Sequence, residues 1–517
     1  MPRGLPIIFT AVTLLMACSR PEKPVDDPAW ANEPHRPRFH FTPQAHWMND
    51  PNGMVYHQGE YHLFYQYYPD STVWGPMHWG HAISQDLVRW EHQPIALYPD
   101  SLGFIFSGSA VIDHANTSGL GTDQTAAMVA IYTYHLMEGE KAGRHDFQTQ
   151  GLAYSLDNGW TWTKYAGNPV LTNPGKHDFR DPKVLWHEPS RQWVMILAVK
   201  DHVEFYGSPN LIDWKYVSSF GETKGAHGGV WECPDLFELN VAGTHDSKWV
   251  MLVSINPGAP NGGSGTQYFI GHFDGNTFRS ETTETLWIDH GKDNYAGVTW
   301  SNVPAEDGRR LFIGWMSNWQ YAQTVPTRTW RSAMTLAREL TLTQTPKGLR
   351  MASVPVSELN SLIQSTQSLT HVMPWGSASS SEYPLPNGTL LEFTIERTDP
   401  REDVTLELYN THDERVLIGL KGESNYFFVD RTESGQTDFS KDFPGIHMAP
   451  RVQITKDVTV YVWVDASSIE VFADDGTVAL TELYFSSRPL DTFRLRGSQT
   501  TQVDTVHVSA LRSIWKN

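Results

Sequence analysis

Five times along its first 345 residues the chain repeats one pattern of short strands, and that repeat limits the fold more than any other feature. Each unit opens on an aromatic, polar run that leads into a strand. The openings are Trp47-Met48-Asn49-Asp50, Phe106-Ser107-Gly108-Ser109, Phe179-Arg180-Asp181-Pro182, Trp231-Glu232-Cys233-Pro234 and Tyr295-Ala296-Gly297-Val298. A strongly apolar strand follows each one, at 61–67, 127–134, 192–199, 249–255 and 311–315. Third strands at 81–84, 152–155, 203–207 and 267–271 run into polar turns such as Ser84-Gln85-Asp86 before Trp90 and Ser208-Pro209-Asn210 before Trp214. Alternating apolar residues bounded by Gly, Asn, Asp and Pro are strand and hairpin signals. Units about 50 to 70 residues long, each with about four short strands, suit the blades of a propeller, and no amphipathic helical period competes.

The units place a five-bladed β-propeller over residues 39–345. Beyond it the pattern changes. Residues 346–375 read as a linker with one short helix near 357–365, and 377–381 is a small-polar run. From 376 to 517 strands alternate tightly, at 390–395, 404–409, 416–420, 426–430, 458–464, 468–472 and 493–495, the signature of a β-sandwich. The fold class expected is therefore all-β: a propeller followed by a C-terminal sandwich.

The N-terminus predicts export. Arg3 precedes an apolar stretch at 5–15, too short for a membrane span of about 20 residues. The stretch ends in Leu15-Met16-Ala17-Cys18, which resembles a bacterial lipoprotein box. Residues 1–18 then form a signal peptide, Cys18 carries the lipid, and the Pro- and charge-rich 19–38 is a tether. That makes the protein a membrane-anchored lipoprotein, periplasmic or on the cell surface, with its only membrane contact through the anchor. Cys18 and Cys233 are the only cysteines, so no disulfide framework exists. A formal net charge of −19 excludes nucleic acid as a partner and favours a neutral substrate. The 20 Trp, 20 Tyr and 23 Phe suit stacking on sugar rings, although all-β proteins also use aromatics to cover sheets.

Three openings carry an acid at the same place: Asp50, Asp181 and Glu232. Innermost strands of a propeller line one channel, so acids at their starts meet at one mouth. Taken singly each has a bland reading, Asp50-Pro51-Asn52-Gly53 as a β-turn and Arg180-Asp181 as a surface ion pair. Together they match what glycosidic bond cleavage needs. Two carboxylates flank the bond as acid and nucleophile or base, and a third steadies the oxocarbenium-like transition state.

These motifs resemble family 32 of the glycoside hydrolases, the fructan hydrolases and invertases. The resemblance rests on Trp47-Met48-Asn49-Asp50-Pro51-Asn52-Gly53, Arg180-Asp181-Pro182 and Glu232-Cys233-Pro234. It extends to Phe106-Ser107-Gly108, Gly314-Trp315-Met316, Arg338-Glu339-Leu340 and Ser467-Ser468-Ile469-Glu470-Val471-Phe472. It implies a retaining double displacement with Asp50 as nucleophile, Glu232 as acid/base and Asp181 as transition-state stabiliser. It also implies that Trp47, Asn49, Gln66, Trp74, Phe106, Ser107, Arg180 and Trp315 bind the fructose unit, with no metal and no organic cofactor. The expected activity is exo-release of terminal fructose from levan, inulin or sucrose. A fructosyltransferase, a non-catalytic fructan-binding lipoprotein and an arabinan- or xylan-cleaving propeller are the competing readings.

Overall fold

The computed structural model describes residues 29–515, so the leader and Cys18 lie outside the described residues. Five antiparallel sheets of four or five strands come first. Their inner strands are His46–His57, Phe104–Asp113, Phe179–His187, Val230–Asn240 and Tyr295–Thr299. Each packs against the inner strand of the next sheet, and the fifth packs against the first, so the sheets close into a ring of five blades. A parallel pairing of His46 and Trp47 with Trp330 and Arg331 ties the first blade to the chain that follows the fifth blade's second strand.

A β-bulge interrupts every inner strand at the same height. The register shifts at 48–51, 105–108, 180–183, 232–235 and 295–298. Asp181, Cys233 and Ala296 take positive φ of 64°, 45° and 54° there, a conformation L-residues with a Cβ adopt at a cost. Such bulges re-aim side chains, and here they turn the residues at the start of each strand toward the ring axis.

Two six-stranded sheets form the sandwich. One holds, in order, Ile363–Met373, Thr501–Leu511, Thr389–Arg397, Val458–Val464, Ser468–Ala473 and Val478–Leu483. The other holds Tyr383–Pro384, Thr492–Arg496, Val404–Tyr409, Arg415–Lys421, Tyr426–Asp430 and Ile446–Pro450. Leu391, Phe393 and Val460 pack with Leu406, Ile418 and Phe493 in one core. Burial of each such side chain contributes about 1.5–3 kcal/mol.

Buried ion pairs join sandwich to propeller. Arg338 reaches Asp289 at 2.9 Å and Glu470 at 2.5 Å, and Glu470 also bonds His40 at 2.9 Å. Arg431 reaches Asp293 at 2.5 Å and Glu482 at 2.9 Å. Burial opposes charging His40, but its bonds to Asp465 and Glu470 prevail and push its pKa up to about 9.

Two segments differ from the reading of composition. Residues 29–38, expected as tether, fold onto the body. The fully buried Arg36 guanidinium donates to Thr42 Oγ1, to the carbonyls of Pro43 and Gln44 and to Glu33, and stacks 4.3 Å from the Trp330 ring. Residues 346–375, expected as linker, are mostly strand. Gly348–Pro355 pairs with Arg338–Thr345 as the outer strand of the fifth blade. After a 3-10 turn at Ser357–Leu362 the chain enters the sandwich as Ile363–Met373, which pairs with Thr501–Leu511.

Candidate active site

The bulged starts of the inner strands surround a pit of about 280 Å³ at one mouth of the channel. Asp50, Asp181 and Glu232 all line it, although they stand up to 182 positions apart in the chain. Each carboxylate has its own holders. Asp50 accepts from Asn49 Nδ2 at 3.1 Å and from Ser107 Oγ at 2.8 Å. Trp47 Nε1 donates to Asn49 Oδ1 at 2.7 Å, which fixes the direction in which that amide offers its N–H to Asp50. Asp181 accepts the backbone N–H of Cys233 at 3.1 Å, a donor exposed to it by the bulge in the fourth inner strand. Glu232 accepts from Arg180 Nη2 at 2.8 Å and from the Tyr295 hydroxyl. Arg180 also binds Asp178 at 2.5 Å, so its guanidinium is held from two sides.

Three carboxyls brought together in one pit cannot all ionise freely. Burial, with the Glu232 charge second, pushes Asp50 up to about 6. Burial pushes Asp181 up to about 7; Arg180 opposes the rise, and Glu232 and Asp50 add to it. Asp50 and Asp181 are therefore both held well above the usual carboxylate range. Pairs of acids with unlike environments are the usual basis for dividing acid and nucleophile roles.

The wall of the pit is mixed. Gln66, Trp74, Phe106, Ser107 and Asn49 line it as expected from the sequence. The buried Gln66 Nε2 has no partner among the described residues, leaving a donor for a ligand. Trp47 and Trp315 do not reach the surface. Both are fully buried behind Trp319, whose ring stacks on Trp47 at 5.8 Å and lies 4.9 Å from Trp315. Trp319, on the loop after the fifth blade's second strand, is a second indole lining the pit beside Trp74, and it stands between the pit and Trp315. His135, Glu140, Gln148, Asp178 and Gln323 also line the pit and had no motif to mark them. His135 stacks on Phe106 at 4.2 Å and is bonded by Glu140 and Gln148, which fixes the Phe106 ring.

Below the acids the channel is shut. Pro51, Pro182 and Pro234, the residues after the motif acids or one further on, surround a void of about 10 Å³. That is room for no more than one water. Proline has no N–H to satisfy, so three of them can crowd a channel without an orphaned donor.

Sequence comparison places this architecture. The profile described as "Glycosyl hydrolases family 32 N-terminal domain" matches residues 40–353, and "Glycosyl hydrolases family 32 C terminal" matches 358–511. The chain belongs to glycosyl hydrolase family 32. It is a glycoside hydrolase, built as the propeller and sandwich described above. Levanase of Bacillus subtilis is 47% identical over 499 residues, covering 95% of this chain and 72% of the relative. The extracellular exo-inulinase of Aspergillus niger is 39% identical over 518 residues, covering 94% and 96%. The crystal structure of exo-inulinase from Aspergillus awamori superposes with a TM-score of 0.86 at 36% identity, covering 94% of this chain and 99% of the other.

Proposed function

We propose that this family 32 hydrolase removes single terminal fructose units from β-fructosides with retention of configuration. The observation that carries the proposal is the convergence of Asp50, Asp181 and Glu232 on a blind pit of about 280 Å³ whose floor is closed by prolines. A pocket with one opening admits a chain end and not the middle of a chain, which favours exo-action. The relatives named levanase and exo-inulinase support fructan as the substrate class.

In this mechanism the Asp50 carboxylate, aligned by Asn49 and Ser107, attacks the anomeric carbon of the terminal fructose. Glu232 donates its proton to the glycosidic oxygen, and the aglycone leaves. The ester on Asp50 is then hydrolysed by a water whose proton returns to Glu232. Asp181 accepts hydrogen bonds from fructose hydroxyls and faces the positive charge that develops on the ring. In the empty pit, burial favours the protonated form of Asp181. Sugar hydroxyls donating to Asp181 stabilise its charged form, the form that faces the developing positive charge. Asn49, Gln66, Trp74, Phe106, Ser107 and Arg180 hold the sugar, Trp319 stacks on it, and Trp47 acts through Asn49. Cys18 anchors the exported protein to its membrane.

Retention has a direct readout. With methanol present, the ester intermediate passes fructose to methanol, and NMR of the product is expected to show methyl β-fructofuranoside. The α anomer would mean inversion and would rule out Asp50 as nucleophile. The pH profile is a second one. Asp50 must be ionised to attack, so kcat/KM is expected to fall on the acid side with a midpoint near pH 6. A profile flat from pH 5 to 8 would contradict Asp50 as the group that must ionise.

A further inference from the structure

The opposite mouth of the channel holds a larger hollow, of about 460 Å³, within the size of ligand pockets, roughly 300–1,000 Å³. It is separate from the acidic pit. Asp181 faces the pit and Lys183, two residues further along the same inner strand, faces the far hollow, with the proline plug between them.

Its lining combines indoles with open polar groups. Trp186 and Trp249, from the third and fourth blades, are half-buried and line its wall. Deeper in, Lys183 is already paired with Asp235 at 3.1 Å and with the Thr299 carbonyl at 2.6 Å. Arg310 is not. Its guanidinium lies 5.1 Å from the Phe237 ring, makes one long bond to the Trp300 carbonyl at 3.5 Å, and forms no ion pair among the described residues. Its buried Nε has no partner. A guanidinium with unused donors beside aromatic walls is a place for a ligand to supply acceptors. Two cations and two carboxylates, Lys183, Arg310, Asp235 and Glu238, leave the hollow balanced in charge, so a neutral ligand fits better than an ion.

We propose that this far mouth is a second carbohydrate site, binding a neutral β-fructoside chain with rings against Trp186 and Trp249 and hydroxyl oxygens on Arg310. The choice of sugar rests on the fructan-hydrolase reading; the site itself rests on the hollow. Its role is to hold polymer at the enzyme so that chain ends reach the pit at raised local concentration.

The test is calorimetric titration of the Asp50→Asn protein with a short inulin-type oligosaccharide. Two binding events are expected, and adding Trp249→Ala or the milder Arg310→Gln removes one and leaves the other unchanged. In the active protein either change should raise KM for long fructan by about threefold or more and leave kcat/KM on sucrose the same. A single binding event indifferent to both substitutions, or no binding, overturns the proposal. A single event lost on Trp249→Ala would keep the far site and instead count against the fructose pit.

Discussion

Replacing Asp50 by Asn is expected to lower turnover of any β-fructoside by about 10⁴-fold or more while leaving the protein folded. The amide has nearly the same shape and still meets Ser107 and Asn49, but it cannot form the ester intermediate. With its oxygen kept toward Asn49, the amide turns its NH2 to Ser107 Oγ, which must accept instead of donate, a cost of about 1 kcal/mol or less. Relief of repulsion among the three acids offsets that cost, because burial and the Glu232 charge are what raise Asp50 in the first place. The melting temperature should therefore stay level or rise slightly, the pattern of a site that trades stability for activity. A large fall in melting temperature together with lost turnover would instead make Asp50 a structural turn residue.

Arg338→Ala is expected to destabilise the protein by about 3–5 kcal/mol, the cost of leaving buried carboxylates without their partner. Arg338 is fully buried and ties Asp289 of the propeller to Glu470 and Thr481 of the sandwich. Its charge also helps keep Asp289 and Glu470 below the usual carboxylate range against the burial that would raise them. Arg338→Met separates charge from packing, since it keeps much of the contact with the Phe472 ring. Urea midpoints that fall equally for Ala and Met would assign the loss to charge. Recovery of most of it in Met would show that packing dominates.

The propeller was legible because each blade repeats a motif at its inner strand, where aromatic, acidic and proline residues stand out. The sandwich was less so. Ile363–Met373 turns most of its side chains to solvent, so it lacks the apolar alternation that reveals a strand, and composition there resembles a linker. Arg36 misled for a related reason. A Pro- and charge-rich run reads as tether unless the partners of its guanidinium are known, and those lie six to eight residues further on.

At the pit, the three acids could be placed from their position in the repeat. Of the indoles, Trp74 lines the pit as the resemblance implied, but Trp47 and Trp315 do not. Trp47 and Trp315 carry the motifs, yet the bulges decide which residue of each run faces the axis, and a bulge has no sequence mark here beyond proline and glycine nearby. Trp319 came from a loop with no repeat. His135 and Gln148 sit at facing strand ends in the second blade and become site residues only when Phe106 is seen resting on His135.

The most direct test of the account is a product time course on levan, inulin and sucrose. A blind pit worked by the acid trio predicts free fructose from the first minutes, with long chains shortening slowly and no pool of intermediate oligosaccharides. Early oligosaccharides without fructose would contradict the blind pit, and no turnover of any of the three would contradict the assignment of the trio to β-fructosides.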